Sequence, residues 1–268
     1  MDKSVNNMIK LSKLELGEFL NEKVIEYETR DFITYDPISI PHMFSDNKDI
    51  EIAGFLAATI AWGNRKSILK NANRLVERMD NSPYDFVMNF EKSDEKVFEG
   101  FCHRTFQPED AVYFMGALRR IVKEYGSLEN LIASHWQASG SPNNVNGALS
   151  NFHAVFFDSV HADRTRKHVA NPSKGSAAKR LNMYLRWMVR SSKNGVDLGI
   201  WDKIPTRVLS IPFDVHTSNV GRSLGLLSRK QNDWKAVAEL DAALREYDPV
   251  DPVKFDFALF GLGAIEGF

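Results

Sequence analysis

A lysine and a carboxylate, each beside a predicted helix start, are the residues of this sequence best placed to do chemistry. The carboxylate is Asp214, in Ile211-Pro212-Phe213-Asp214-Val215-His216. Read structurally, Asp214 is an N-cap that accepts the free N–H groups of a helix over 215–226. Capping is compatible with catalysis, because a carboxylate held by backbone N–H groups stays ionised and can stabilise a developing positive charge. The lysines lie upstream, in Asn171-Pro172-Ser173-Lys174-Gly175-Ser176-Ala177-Ala178-Lys179-Arg180-Leu181. Proline and glycine set a tight turn there. The small residues that follow leave backbone N–H groups open at the positive end of a helix, which favours a phosphate. Lys174, Lys179 and Arg180 add charge. The alternative is a solvated basic helix start with no ligand.

The wider segment is strongly basic. Between His161 and Arg190 stand Arg164, Arg166, Lys167, Lys174, Lys179, Arg180, Arg186 and Arg190 against the single acid Asp163, a net of +7. The whole chain of 268 residues is −1, so the remainder carries −8. Such a concentration predicts a face for a polyanion.

Other groups carry less. His153, His161, Asp163 and His168 are close in sequence but lack the pairing of a zinc motif, so no metal site is expected. Gly63-Asn64-Arg65-Lys66, with Lys70 and Arg74 behind it, is open to two readings: a contact to nucleic acid or an ordinary helix–turn–helix corner. Cys102, in the aromatic-rich turn Phe101-Cys102-His103-Arg104-Thr105-Phe106, has no activating partner nearby. As the only cysteine it excludes an internal disulfide framework and any all-cysteine metal or iron–sulfur site.

The elements that must position these groups are helices. Apolar residues recur with the helical period over 11–28, 65–79, 109–125, 127–137, 144–158, 173–191, 215–226, 232–246 and 252–262. Residues 50–62 are almost wholly apolar and fit a central buried helix, broken by Gly63-Asn64. No segment shows sustained period-two alternation, and 138–148 reads as a loop. The expectation is an all-α protein folded as one unit over 1–268, with its functional region at about 160–226. Apolar residues at 43% and charged ones at 26% suit an ordinary globular protein. No apolar run approaches the ~18 residues of a membrane span, and Met1-Asp2-Lys3-Ser4-Val5 opens no signal peptide. A reducing cytoplasm is expected.

The central apolar helix with its polar turn, the glycine-containing hairpin before a helix-start lysine, and Pro-x-Asp-x-His opening the next helix resemble the helix-hairpin-helix DNA glycosylase superfamily. The tail from Asn232-Asp233-Trp234 through Asp251-Pro252-Val253-Lys254-Phe255-Asp256-Phe257-Ala258-Leu259-Phe260-Gly261-Leu262-Gly263 is similar to the closing helices of that fold. The likeness covers roughly residues 45 to 268. It is nearest an uncharacterised bacterial family within the superfamily, and more distant from the archaeal 8-oxoguanine glycosylase/lyases. The hairpin departs from the common Pro-Gly-x-Gly-x-Lys by placing its lysine two residues later, and Lys179 and Asp214 stand 35 residues apart.

The resemblance implies a two-lobed helical fold with DNA crossing the cleft between lobes. It implies Lys179 as the nucleophile, Asp214 as the carboxylate, and Asp256 and Phe260, on one helical face, as lining of the base pocket. Asn64 would fill the gap left by an extruded base, and Arg65, Lys174, Gly175, Ser176 and Arg180 would contact DNA. The implied reaction is excision of an oxidised purine such as 8-oxoguanine from duplex DNA, with strand cleavage through a lysine Schiff base. It needs no cofactor or membrane, and the protein would work as a monomer in the bacterial cytoplasm, at the nucleoid when on DNA. The rival expectations are a nucleic-acid binder that keeps the fold without the chemistry, and a protein-interaction module that uses the apolar helices.

Overall fold

The structure is a computed structural model that describes residues 11–140 and 142–268; the reading of Met1 to Val5 lies outside them. Twelve α-helices run in chain order among the described residues: α1 (Lys13–Tyr27), α2 (Arg30–Tyr35), α3 (Asn47–Thr59), α4 (Arg65–Glu77), α5 (Pro83–Asn89), α6 (Pro108–Tyr125), α7 (Leu128–Ala138), α8 (Asn146–Phe156), α9 (Lys179–Val189), α10 (Val215–Ser223), α11 (Trp234–Arg245) and α12 (Phe255–Gly261). The described residues hold no strand, only an isolated antiparallel bridge between His103 and Phe106. The all-α expectation holds.

Local chemistry fixes the boundaries. Ser12 and Glu15 form a capping box at the start of α1, and Asp46 caps α3. The central helix is displaced from the expected 50–62: it starts at Asn47 and ends at Thr59. The chain then turns through Gly63, whose φ of 103° suits glycine. The helix expected over 173–191, by contrast, starts late. Pro172–Lys174 is a 3₁₀ turn, Gly175 has φ +86° and Ala178 φ +49°, so a right-handed helix begins only at Lys179. Helices α2 and α5, six and seven residues long, are too short for the periodic signal.

Two hydrophobic clusters make the interior. The larger draws on α3 to α9, with Phe55 in contact with Phe114, Phe152, Phe156 and Tyr184 at ring separations of 5.6–6.0 Å. Gly54 lets α3 and α9 approach closely: a Cβ there would lie 2.9 Å from the Met188 methyl. The smaller cluster joins α1 to α10, α11 and α12 through residues such as Leu20, Val220, Leu240 and Leu259. Helix α12 serves both, sending Phe257 into the larger and Phe255, Ala258 and Leu259 into the smaller.

Buried charge ties the pieces together. Arg186 and Arg190 of α9 are nearly inaccessible to water. Arg186 pairs with Asp197 at 3.2 Å and with Asp256. Arg190 pairs with Glu28, with Asp197 at 3.0 Å and with Asp251 at 2.8 Å. Glu51 of α3 is a second buried anchor, accepting from Leu128 N (3.1 Å), Glu129 N (3.2 Å) and the Trp201 indole (2.9 Å), so it closes the start of α7.

Burial pushes Glu51 up from its ordinary 4.5 to about 7, although the three N–H donors offset part of the effect. Between those values the native protein keeps a proton that the unfolded chain releases, so this group's contribution to stability falls as pH rises through that window. Glu51→Gln should be less stable, because its amide nitrogen cannot accept a bond. Its stability should also decline less than wild type's from about pH 5 to about pH 7. Denaturant melts across that range check both effects; parallel pH profiles would exclude titration of Glu51.

Candidate active site

A cleft of about 440 Å³ opens where the α3–α4 turn and α9 face α10 and α12. Lys179 is the first residue of α9, and Asp214 is the N-cap of α10, accepting from Thr217 N at 3.0 Å. The two helix starts converge, and Lys179 Nζ lies 3.0 Å from Asp214 Oδ2. Asp214 is held from behind: buried Asp241 on α11 accepts from Ile211 N at 2.9 Å, which fixes the segment leading into α10. Burial alone would raise Asp214, but Lys179 and the Thr217 N–H outweigh it, and the carboxyl sits below its usual range. It is therefore ionised at neutral pH.

The walls are aromatic and cationic. Trp62 forms one side, with the Arg180 guanidinium 4.8 Å from its ring and its carbonyl 3.1 Å from His103 Nε2. Phe260 of α12 forms another, with Arg65 stacked at 5.5 Å. His216 completes the rim, its Nδ1 3.1 Å from Gly263 O. A deeper recess continues past Lys179 and Asp214 to Phe32, Arg186 and Asp256. Burial drives Asp256 upward against the neighbouring Arg186, and the charge of Asp214 adds to the rise.

The residues singled out in the sequence divide into three groups. Lys179, Asp214, Phe260 and Arg65 meet in the cleft. Asp256 and Arg180 also reach it but have internal partners: Asp256 is paired with Arg186, and Arg180 donates to Thr59 O and, at 3.3 Å, to Lys167 O. The third group lies outside the cleft lining. Asn64 is exposed and caps α4, accepting from Ser67 N at 3.3 Å. Lys174 and Gly175 are exposed on the hairpin, where Gly175 O accepts from Trp234 N (3.0 Å) and Ser176 Oγ from Ala178 N (3.2 Å).

The +7 segment is not one uniform basic face. Arg164 pairs with Asp110 at 2.9 Å, Arg186 and Arg190 belong to the buried network, and Lys179 faces Asp214. Four of the eight basic residues make no ion pair among the described residues: Arg166, Lys167, Lys174 and Arg180. The histidines are likewise dispersed, with His168 3.2 Å from Asp110 and His153 3.5 Å from Asn171. Among the described residues no three His, Cys, Asp or Glu side chains form a group able to hold a metal ion.

Asp36, Trp62, Met183 and His216 line the cleft without having been singled out as site residues. Trp62 is adjacent to the Gly63-Asn64 turn, and His216 follows Asp214 by two, so both could have been found from their neighbours. Asp36 carries no such signal.

A family model described as "Protein of unknown function (DUF2400)" matches residues 36–265 of the chain. No curated protein and no solved structure matches it.

The cap at Asp214 can be tested apart from any chemistry. Asparagine caps as well as aspartate, so Asp214→Asn should melt close to wild type, whereas Asp214→Ala should lose about 1 kcal/mol. Equal losses in thermal melts of both variants would mean that the Lys179 pair, and not the cap, is the stabilising contact.

Proposed function

We propose that this chain, which belongs to the DUF2400 family, is a DNA glycosylase with lyase activity that removes an oxidised purine such as 8-oxoguanine from duplex DNA. The observation that carries the reading is the 3.0 Å approach of Lys179 Nζ to Asp214 at the junction of two helix starts, inside a cleft walled by Trp62 and Phe260. A nucleophilic amine, an ionised carboxylate and aromatic faces are what excision of an extruded base requires. On this reading the two hydrophobic clusters belong to two lobes of a glycosylase-like fold, with the hairpin between α8 and α9 as its helix-hairpin-helix element.

Extrusion of the damaged nucleotide costs a few kcal/mol and places the base between aromatic side chains. Lys179, having released a proton and left its pair with Asp214, attacks the sugar C1′. The bond from C1′ to the base breaks, and the base leaves with the electron pair and takes up a proton. As positive charge builds on the sugar ring, Asp214 stabilises it, as a glycosidase carboxylate does. Ring opening gives an imine between Nζ and C1′. Loss of a proton from C2′ then expels the 3′ phosphate by β-elimination, and hydrolysis of the imine restores Lys179.

Borohydride should trap a covalent complex between the protein and a duplex carrying 8-oxoguanine or an abasic site. Lys179→Gln should abolish trapping, and Lys174→Gln should retain it. Asp214→Asn should slow base release by about 10² or more. Trapping that survives in Lys179→Gln would assign the nucleophile to another lysine. Specific DNA binding with no trapping or release on any lesion would favour a non-catalytic binder, in which the Lys179–Asp214 pair only joins α9 to α10.

Affinity for duplex DNA should fall with salt, log K decreasing by about 0.9 per phosphate neutralised for each unit of log salt. Lys174→Ala together with Arg166→Ala should flatten that slope by about two contacts. An affinity that is constant with salt would contradict phosphate contacts by this segment.

A further inference from the structure

Three carboxylates converge on the cleft, and two have partners. Asp214 is engaged by Lys179 and Thr217 N, and Asp256 by Arg186. The third, Asp36, makes no ion pair with any described residue, yet it lines both the main cleft and the recess beside Lys179, Asp214 and Phe260. Only its Oδ1 is bonded, accepting from Ile38 N at 3.1 Å.

Its position is rigid. Asp36 follows α2 and caps the 3₁₀ turn Pro37–Ser39, whose Pro37 and Ile38 are buried, Ile38 in the larger core. An acceptor fixed in this way within a partly desolvated cleft is suited to reading a ligand rather than swinging toward solvent. Burial raises the Asp36 carboxyl above its usual range, and the Ile38 N–H bond and the charges of Arg186, Arg65 and Lys179 offset only part of that rise.

Resting on the glycosylase reading, we infer that Asp36 is a specificity-determining residue that reads the six-membered-ring edge of the extruded purine, and that the purine it selects is of guanine type. In its ionised form the Asp36 carboxylate only accepts. The guanine edge offers adjacent donors, N1–H and the N2 amino group, which two carboxylate oxygens can take together. Each oxygen has a second lone pair, so the bond from Ile38 N leaves Oδ1 available. The adenine edge puts the N1 acceptor against the carboxylate and leaves an acceptor facing an acceptor. A site built to bond a donor strongly rejects an analogue that lacks it.

The test uses two duplexes identical except for 8-oxoguanine or 8-oxoadenine at one position. These lesions share the N7–H and O8 edge and differ only on the six-membered ring. In single-turnover release, wild type should prefer 8-oxoguanine by about ten- to a hundredfold, the scale of one bidentate base contact. Asp36→Asn presents one donor and one acceptor while keeping an oxygen for Ile38 N, so the preference should collapse to a few-fold. Asp36→Ser, which can also cap the turn, should lose it similarly, with melting curves confirming that both variants fold. An unchanged preference in Asp36→Asn, or an equal loss on both lesions, would overturn the assignment. Wild type that is trapped on an abasic duplex but does not discriminate the two lesions would refute Asp36 as reader and leave the lyase reading standing. Wild type that neither releases a base nor is trapped would remove the glycosylase reading itself.

Discussion

Two arginines that cannot reach water set the arrangement of this protein. Arg186 and Arg190 lie on α9, and each must be neutralised where it is buried, because an unpaired interior charge costs several kcal/mol. The acids that neutralise them come from three parts of the chain: Glu28 after α1, Asp197 just after α9, and Asp251 and Asp256 before and within α12. Loss of either arginine would strand buried carboxylates, a penalty of about 3–5 kcal/mol. The network thus holds the helices of the smaller cluster against α9. It also fixes the cleft, since Lys179, Met183, Arg186 and Arg190 recur at i, i+4, i+7 and i+11 and share one helical face. The stripe that is anchored at its C-terminal end by buried ion pairs reaches the cleft at its N-terminal end.

The pairing of Lys179 with Asp214 follows from two helix starts pointing at one another. Ala178, in the left-handed region at φ +49°, sets where α9 begins and therefore which lysine is its first residue. Asp214 is fixed by its bond from Thr217 N and, through Ile211, by Asp241. A one-residue shift of either boundary would turn its side chain by about 100° around the helix axis and separate the pair. Secondary-structure boundaries, more than the presence of the residues, make the site.

Much of this was legible in the sequence. The long helices announced themselves by period, and Asp214 announced its cap by following a proline-containing turn and preceding a polar first turn. The periodic pattern alone ran α9 back to Ser173, because Ser173 to Ala178 are compatible with a helix by period, whereas the glycine-containing hairpin before Lys179 was the signal for its start. Asp36 was invisible: it is brought to the cleft by the packing of Pro37 and Ile38, a tertiary fact with no local pattern. The basic segment was visible but gave an incomplete picture. A window of sequence counts formal charges and does not register that Arg164 pairs with Asp110 or that Arg186 and Arg190 are buried among acids from several parts of the chain.

The corrected charge distribution bears on what the cleft can admit. Its lining sets the carboxylates Asp36, Asp214 and Asp256 among the cations Arg65, Lys179, Arg180 and Arg186, while Arg166, Lys167 and Lys174 are exposed outside it with no ion pair among the described residues. A base that offers N–H donors, or a sugar ring acquiring positive charge, would find carboxylate oxygens there. On the proposed reading the two charge patterns are complementary: cations outside the cleft hold the backbone while the acids within accept the base edge and stabilise the cationic transition state. The same division explains why cations are needed outside the pocket although the net charge of the chain is close to zero.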